Sequence, residues 1–223
     1  MYKTFYFSWN GNVFLNENLF DKNKIKVIYN GIILKENEII KPVYQKNNDE
    51  IVIGNAGRFV KQKNHSFLIQ LAAKLKEESV NFKILLAGSG KLQPEIEAIT
   101  KQLDVEDKIV FNGFIENIRN FMESIDIYVL PSLWEGFGYV LAEAMSCRKP
   151  VIAFNLSSNP EIIANNKTGY LVEKNDLEDL TEKIKLLAEN PELRNKMGQE
   201  GKARVKERFI IDRVVEEVEK TIV

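Results

Sequence analysis

Glu135 and Glu143 stand with seven residues between them, in the run EGFGYVLAE, around a Gly136-Phe137-Gly138 turn. An apolar stretch, Ile125 to Leu130, precedes the turn and ends at Pro131-Ser132. Beyond the turn, Val140-Leu141-Ala142-Glu143-Ala144-Met145 suits a helix. The glycines therefore fall where a strand ends and a helix begins. Such a point offers unpaired backbone N–H groups and the positive end of a helix dipole to an anion. Glycine there lets the backbone approach a ligand closely. Glu143 lies more than one turn inside the helix, and Glu135 stands in the loop at its mouth. Two carboxylates beside an anion site repel phosphate, so their natural ligands are sugar hydroxyls. The combination points to a nucleotide-sugar.

A second strand–loop–helix unit carries cations. Residues 51–63, IVIGNAGRFVKQK, read as a β-branched strand, a Gly57-Arg58 turn, and Lys63 five residues after Arg58. Phe67, Leu68, Leu71 and Leu75 then recur at helical spacing. Arginine offers a planar fork for phosphate oxygens and lysine a mobile point charge. Both cations sit at the carboxyl end of a strand. The plainer alternative is that they are ordinary surface cations among the chain's 31 Lys and Arg.

The string from Ile125 to Ala153, with Pro131-Ser132 before the glutamates and Cys147-Arg148-Lys149-Pro150-Val151-Ile152-Ala153 after them, closely resembles the E-x7-E signature of retaining GT-B glycosyltransferases of family 4 (glycosyl transferases group 1). A bare E-x7-E pair carries no weight, because 32 acidic residues in 223 produce such pairs by chance. The specificity lies in the whole string, set against a helix bearing two solvated acids. In that family the Arg and Lys of a G-R-x4-K pattern hold the donor diphosphate, so the resemblance gives Gly57, Arg58 and Lys63 that place. Lys61, which the pattern does not select, reads as solvated. Lys108 to Phe114 resembles the family's short strand and loop near the nucleotide base, making Gly113 and Phe114 candidate contacts; Phe114 also reads as core. Glu161 matches a recurring helix start. There the family's G-G-x-x-E run is replaced by Asn155 to Pro160, a departure at the loop that would face the sugar.

The resemblance implies transfer of a sugar from a nucleoside-diphosphate sugar to an acceptor, with retained anomeric configuration. Arg58, Lys63 and the helix start at Gly136, Phe137, Gly138 and Tyr139 would stabilise the departing diphosphate, the electrostatic contribution that usually dominates such steps. Glu143 would accept hydrogen bonds from ribose hydroxyls and Glu135 would hold the transferred sugar, so Glu135, Arg58 and Lys63 form the catalytic set. No metal and no cofactor beyond the donor are expected: cations and dipole already face the diphosphate, and no His/Cys/Asp cluster has metal-ligand spacing. His65, the single histidine, reads as a local helix-start residue. Three readings stay open. One is the donor-binding half of a hexosyltransferase of polysaccharide or glycoconjugate assembly. Another is a catalytically inactive nucleotide-binding fragment or interaction module. The third is an epimerase or sugar phosphorylase sharing the two-domain architecture, against which the glutamate string and Gly57-Arg58 with Lys63 both argue.

These residues need a scaffold that presents strand ends. Strand patterns at 51–56, 82–87, 108–111, 126–130, 150–154 and 168–172 alternate with helical ones near 64–78, 91–103, 116–124, 138–147, 159–165 and 176–189. Strict alternation predicts an α/β fold, a Rossmann-like parallel sheet with helices on both faces, one half of a GT-B fold by resemblance. Ligands in such sheets bind outside the carboxyl ends of the strands. Gly88-Ser89-Gly90 lacks the full dinucleotide fingerprint and reads as a tight turn. A helical carboxyl-terminal tail comes last. Leu177, Leu180, Ile184 and Leu187 form one apolar stripe starting at Asn175 or Asp176, Asn190 caps a helix with Pro191 first, and Val214, Val215, Val218 and Ile222 form a last stripe. The charges Glu216-Glu217 and Lys202 with Arg204 read as a solvated face.

Composition bounds the rest. Hydrophobic residues at 44% and charged residues at 28% are ordinary for a globular protein. A net charge of −1 gives no electrostatic reason to bind nucleic acid or an anionic membrane. One cysteine, Cys147, excludes an internal disulfide and fits a reducing cytoplasm. No apolar run approaches the roughly 20 residues of a membrane span, and the opening segment is too short and aromatic for a signal peptide. The location expected is cytoplasmic, with a peripheral membrane position open to a longer form. Lys24 to Ile32 matches the family's interdomain segment. Residues 1–23 are then read as a truncated remnant of an acceptor domain or linker, and 24–223 as the nucleotide-sugar-binding domain. The acceptor-binding partner, on the order of 150 residues, would be a missing amino-terminal domain or a complementary chain, and the last helix has nothing to cross to.

Overall fold

In a computed structural model, residues 4–7, 25–34, 39–47 and 49–222 are described. Most of the expected remnant at 1–23 lies outside the described residues. Its strand β1 (Thr4–Phe7) pairs in parallel with β2 (Ile25–Ile28) as a two-stranded sheet.

The remaining strands, β3 (Ile51–Ala56), β4 (Phe82–Ala87), β5 (Ile109–Gly113), β6 (Ile127–Leu130), β7 (Val151–Phe154) and β8 (Gly169–Val172), form one parallel sheet in the order β5-β4-β3-β6-β7-β8. The helices between and after them are α1 (His65–Glu77), α2 (Gln93–Gln102), α3 (Ile118–Glu123), α4 (Tyr139–Ser146), α5 (Asn159–Ile162), α6 (Leu177–Glu189), α7 (Pro191–Arg208) and α8 (Ile211–Ile222). The α/β architecture expected from the alternation is the one observed, with boundaries moved by a few residues at most.

Strand residues split by parity, as a two-residue period requires when both faces are buried. Ile53, Ile84, Ile127, Val129 and Ile152 join Phe67, Leu71 and Leu75 of α1 and Ile184 of α6 in one core layer. Val52, Leu85, Tyr128, Leu130 and Val151 join Phe121 of α3, Leu141 and Met145 of α4 and Val205 of α7 in the other. Burying such apolar area, at about 25 cal/mol per Å², is what holds helices to both faces.

The chain runs outward from β3 through β4 to β5, then returns to lay β6 on the other side of β3. The connections leaving β3 and β6 run on to strands on opposite sides, which makes this the switch point where open parallel sheets place their ligands. Asp126 ties this seam below, its Oδ2 accepting from Val52 N at 2.8 Å and from Lys46 Nζ at 2.7 Å.

The carboxyl-terminal third corrects three expectations. Asp176 caps α6, accepting from Asp179 N at 3.0 Å, whereas Asn190 makes no side-chain cap on α7 even though Pro191 is its first residue. Arg204 is half-buried, not solvated: its Nε and Nη2 each donate, at 2.7 Å, to the carbonyls of Ile162 and Glu161 at the end of α5. The last helix does have a partner. Ile32 N donates to Phe209 O at 2.8 Å and Ile211 N to Ile32 O at 3.0 Å, which seats α8 beside β2.

Candidate functional site

The loop after β3 is shaped by its neighbour from β4. Gly57 N donates to Ala87 O and Phe59 N to Ser89 O. Gly88 holds φ +127° with its α-carbon against the Gly57 carbonyl, where an added Cβ would lie 2.1 Å from that oxygen. Only glycine fits such a backbone without strain, so the Gly88-Ser89-Gly90 turn serves to mould the Gly57–Phe59 loop. A short 3-10 turn, Lys61–Lys63, comes next and is stitched to the loop after β6: Leu133 N donates to Gln62 O and Gln62 Nε2 to Trp134 O, both at 2.8 Å.

That stitch brings Lys63 and Glu135 together, though they are 72 residues apart in sequence. Lys63 Nζ lies 2.6 Å from Glu135 Oε1, with side chains only 15% and 7% exposed. The methylene stem of Lys63 runs over Gly57, at 3.3 Å from where a Cβ would stand. Arg58, on the same loop, is exposed, with no side-chain partner among the described residues. Lys61 is exposed, as expected.

At the start of α4, Gly136 is exposed with open space around its α-carbon, and Gly138 is buried against Leu141 and Ile162. Neither needs a positive φ; Gly138 is small because helix packing requires it. No side chain caps α4. Phe137 is buried and packs edge-on to Tyr139 at 5.0 Å, while Tyr139 is 47% exposed at the rim. Glu143 lies further along the helix and lines a cleft of about 520 Å³ with Asn117, Arg119, Ser146 and Cys147. Burial raises its carboxyl above the usual carboxylate range and likewise raises the Cys147 thiol.

The structure thus joins Gly57, Lys63 and Glu135 directly, sets Gly136 to Tyr139 beside them, and turns Glu143 into the adjoining cleft. Gly113, with φ +66°, accepts from Gly88 N at 2.7 Å and so belongs to the same loop layer. Phe114 is 82% exposed beyond it and is not core. Glu161 is half-buried on α5, with Oε2 unpaired among the described residues.

Sequence reading missed three supports. Tyr128 is fully buried, and its hydroxyl accepts from Ala56 N and donates to Ala56 O, both at 3.1 Å, fixing the last residue of β3; burial raises its pKa. Asn55 Nδ2 donates to Val129 O at 2.8 Å across the same seam. A polar residue inside an apolar strand was the available signal for both. Gln62, which stitches the two loops, carries no such signal.

His65 begins α1 fully inside the protein, 2% exposed, edge-on to Phe59 at 4.3 Å, and neither ring nitrogen has a partner among the described residues. Burial, then the charge of nearby Lys63, lowers its pKa to about 4. The unfolded chain binds this proton near pH 6.5, so folding opposes protonation between those values. Stability is expected to be full above about pH 6.5 and to lose roughly 3 kcal/mol on acidification to about pH 4. Subtracting the urea-unfolding profile of His65→Leu isolates this contribution, since the carboxylates titrate in both proteins. Parallel profiles would show that His65 is not held neutral.

The family described as glycosyl transferases group 1 matches residues 36–204. The chain belongs to this glycosyltransferase family. It is 32% identical, over 215 residues, to the capsular polysaccharide biosynthesis glycosyltransferase CapM of Staphylococcus aureus, covering 92% of this chain and 57% of that protein. A point variant of S. aureus TarM, solved with Fondaparinux, alpha-GlcNAc-glycerol and UDP, superposes with TM-score 0.81 at 23% identity, over 96% of this chain and 43% of that one. The carboxyl-terminal domain of the group 1 glycosyltransferase LpcC from Francisella tularensis superposes with TM-score 0.65 at 30% identity, over 72% of this chain and 87% of that one. The sheet is therefore that of GT-B glycosyltransferases. The chain spans about half the length of the curated relatives it matches. Among the described residues, no helix is long and apolar enough to cross a membrane.

Proposed function

We propose that this chain is the donor-binding half of a retaining, family 4 hexosyltransferase that takes a nucleoside-diphosphate sugar and acts in polysaccharide or glycoconjugate assembly. The observation that carries the reading is the meeting of Lys63 and Glu135 at the switch point, with Arg58 exposed beside them. Arg58 and Lys63 would bind the diphosphate, and the amino-terminal end of α4 would add its dipole. As the sugar–phosphate bond breaks, negative charge grows on the leaving diphosphate, and these fixed positive groups stabilise it there. Glu135 would hold sugar hydroxyls and Glu143 the ribose hydroxyls. Lys63 therefore has two anionic clients, Glu135, whose Oε1 lies 2.6 Å from its Nζ, and the diphosphate. The cations make a metal unnecessary in this scheme. The acceptor would come from an amino-terminal domain or a complementary chain, and the reaction would take place in the cytoplasm, peripheral to a membrane in a longer form.

Calorimetric titration with UDP, GDP and ADP, beside Glu143→Ala, tests the reading. UDP is the first choice because TarM was solved with it. One nucleotide is expected to bind selectively, and Glu143→Ala to weaken it about tenfold, the worth of a hydrogen bond to a charged group. At 100 times its dissociation constant the ligand should add about 2.7 kcal/mol of stability. A well-folded chain that binds none of the three would overturn the donor-site assignment.

A further inference from the structure

We infer that Phe209 is a positioning residue for the Glu135–Gly138 loop, holding it in register with residues 29–32, the segment that follows β2. The inference rests on the donor-site reading above. Phe209 sits at the break between α7 and α8, entirely buried. Its backbone is fixed from two sides, since its N–H donates to Val205 O at 2.9 Å and its carbonyl accepts from Ile32 N at 2.8 Å. Its ring meets Phe137 at 5.8 Å and 63°, and Tyr29 at 5.6 Å and 84°, both edge-on. Edge-on aromatic pairs are directional as well as apolar. Phe209 thus meets both Phe137 of the candidate-site loop and Tyr29 after β2.

A second route converges on the same loop. The Arg204 guanidinium lies 5.8 Å from the centre of the Phe209 ring while its donors hold the carbonyls of Glu161 and Ile162. The Ile162 side chain in turn packs under Gly138, its Cδ1 3.5 Å from where a Cβ would stand. Residues 136–138 are therefore gripped at Phe137 by Phe209 and at Gly138 by a helix that Arg204 secures. Gly136, between Glu135 and Phe137, is exposed, and a Cβ there would have no neighbour within 4 Å among the described residues, so Phe137 anchors the helix-side end of a loop whose strand-side end is held by Gln62 and Lys63. On the side of residues 29–32 the fit is equally close. A Cβ at Gly31 would come 2.7 Å from the Ile211 α-carbon, so a shift of this segment is passed to Phe209.

Phe209→Leu keeps an apolar group in the core but removes the directional ring contacts. It is expected to weaken UDP binding about fivefold, in the range of substitutions that act through intervening contacts. Ile184→Val, in the core layer on the opposite face, is the control for lost stability and should bind UDP as the parent does. Should Phe209→Leu not fold, Tyr29→Ala removes an edge contact to the same ring from a half-buried position and is expected to weaken UDP binding about twofold to threefold. UDP bound equally by the parent and the Phe209 or Tyr29 variant, or weakened as much by Ile184→Val, overturns the positioning role and leaves the site assignment standing. A parent chain that binds no nucleoside diphosphate overturns the assignment and this role with it.

Discussion

Arg58→Ala is expected to weaken nucleoside-diphosphate binding roughly thirtyfold, about 2 kcal/mol, with little change in melting temperature. The two halves of that expectation have separate causes. Stability should hold because Arg58 is exposed and its side chain has no partner among the described residues; such surface changes usually stay within about 0.5 kcal/mol. Affinity should fall because the loop is already shaped by its hydrogen bonds to Ala87 and Ser89, so the guanidinium meets phosphate with little loop ordering left to do. Arg58→Lys should recover only part of the loss, since it restores charge without the two-pronged geometry. Titration calorimetry with UDP, beside thermal unfolding, measures both. Equal affinity in Arg58→Ala and the parent would remove Arg58 from the site.

Lys63→Met should cost both stability and affinity, and a double variant can separate them. Methionine keeps an apolar stem over Gly57, so packing there is nearly conserved. The loss is the charge facing Glu135, whose side chain is 7% exposed. Removing one member of a buried pair strands the other, a loss of about 3 kcal/mol. For a chain of this size each kcal/mol moves the melting temperature by roughly 2–4 °C. Adding Glu135→Gln removes the stranded charge and should restore most of the stability. It should not restore UDP affinity, because the phosphate cation is still missing. If the double variant regains affinity as well, Lys63 only neutralises Glu135 and does not bind the donor.

The sheet was legible because each strand is a short apolar run ended by glycine, proline or a polar residue, from Ile51 to Ala56 onward. Both site loops come after such runs, so their place at strand ends was legible too. The pairing of Lys63 with Glu135 was not. It depends on β3 and β6 being neighbours, Ile53 opposite Ile127, a property of strand order that local pattern does not carry. Arg204 was misread for a related reason. Nothing in the polar sequence of α7 announces that the end of α5 lies beneath it with carbonyls to satisfy. Phe114 follows an apolar strand and could face either way from the sequence alone; it lies just past Gly113, which holds φ +66°, and is exposed. The partner of α8 was missed because Ile32, which hydrogen-bonds on both sides of the turn at Ile210, belongs to no strand pattern.

The bridge between Ile32 and Ile210 also bears on how the domain could be rebuilt. It sets the two ends of the sheet-bearing body side by side, so in space the body closes on itself like a ring cut at one point. The two backbones already touch, and because they run parallel a peptide joining Ile210 to Ile32 would have to turn the chain back over that short span. New ends could then be opened elsewhere, for instance in the exposed Lys174-Asn175 turn before α6. Every strand of the six-stranded sheet would keep its neighbour, and the two loops that meet at Lys63 and Glu135 would remain uncut.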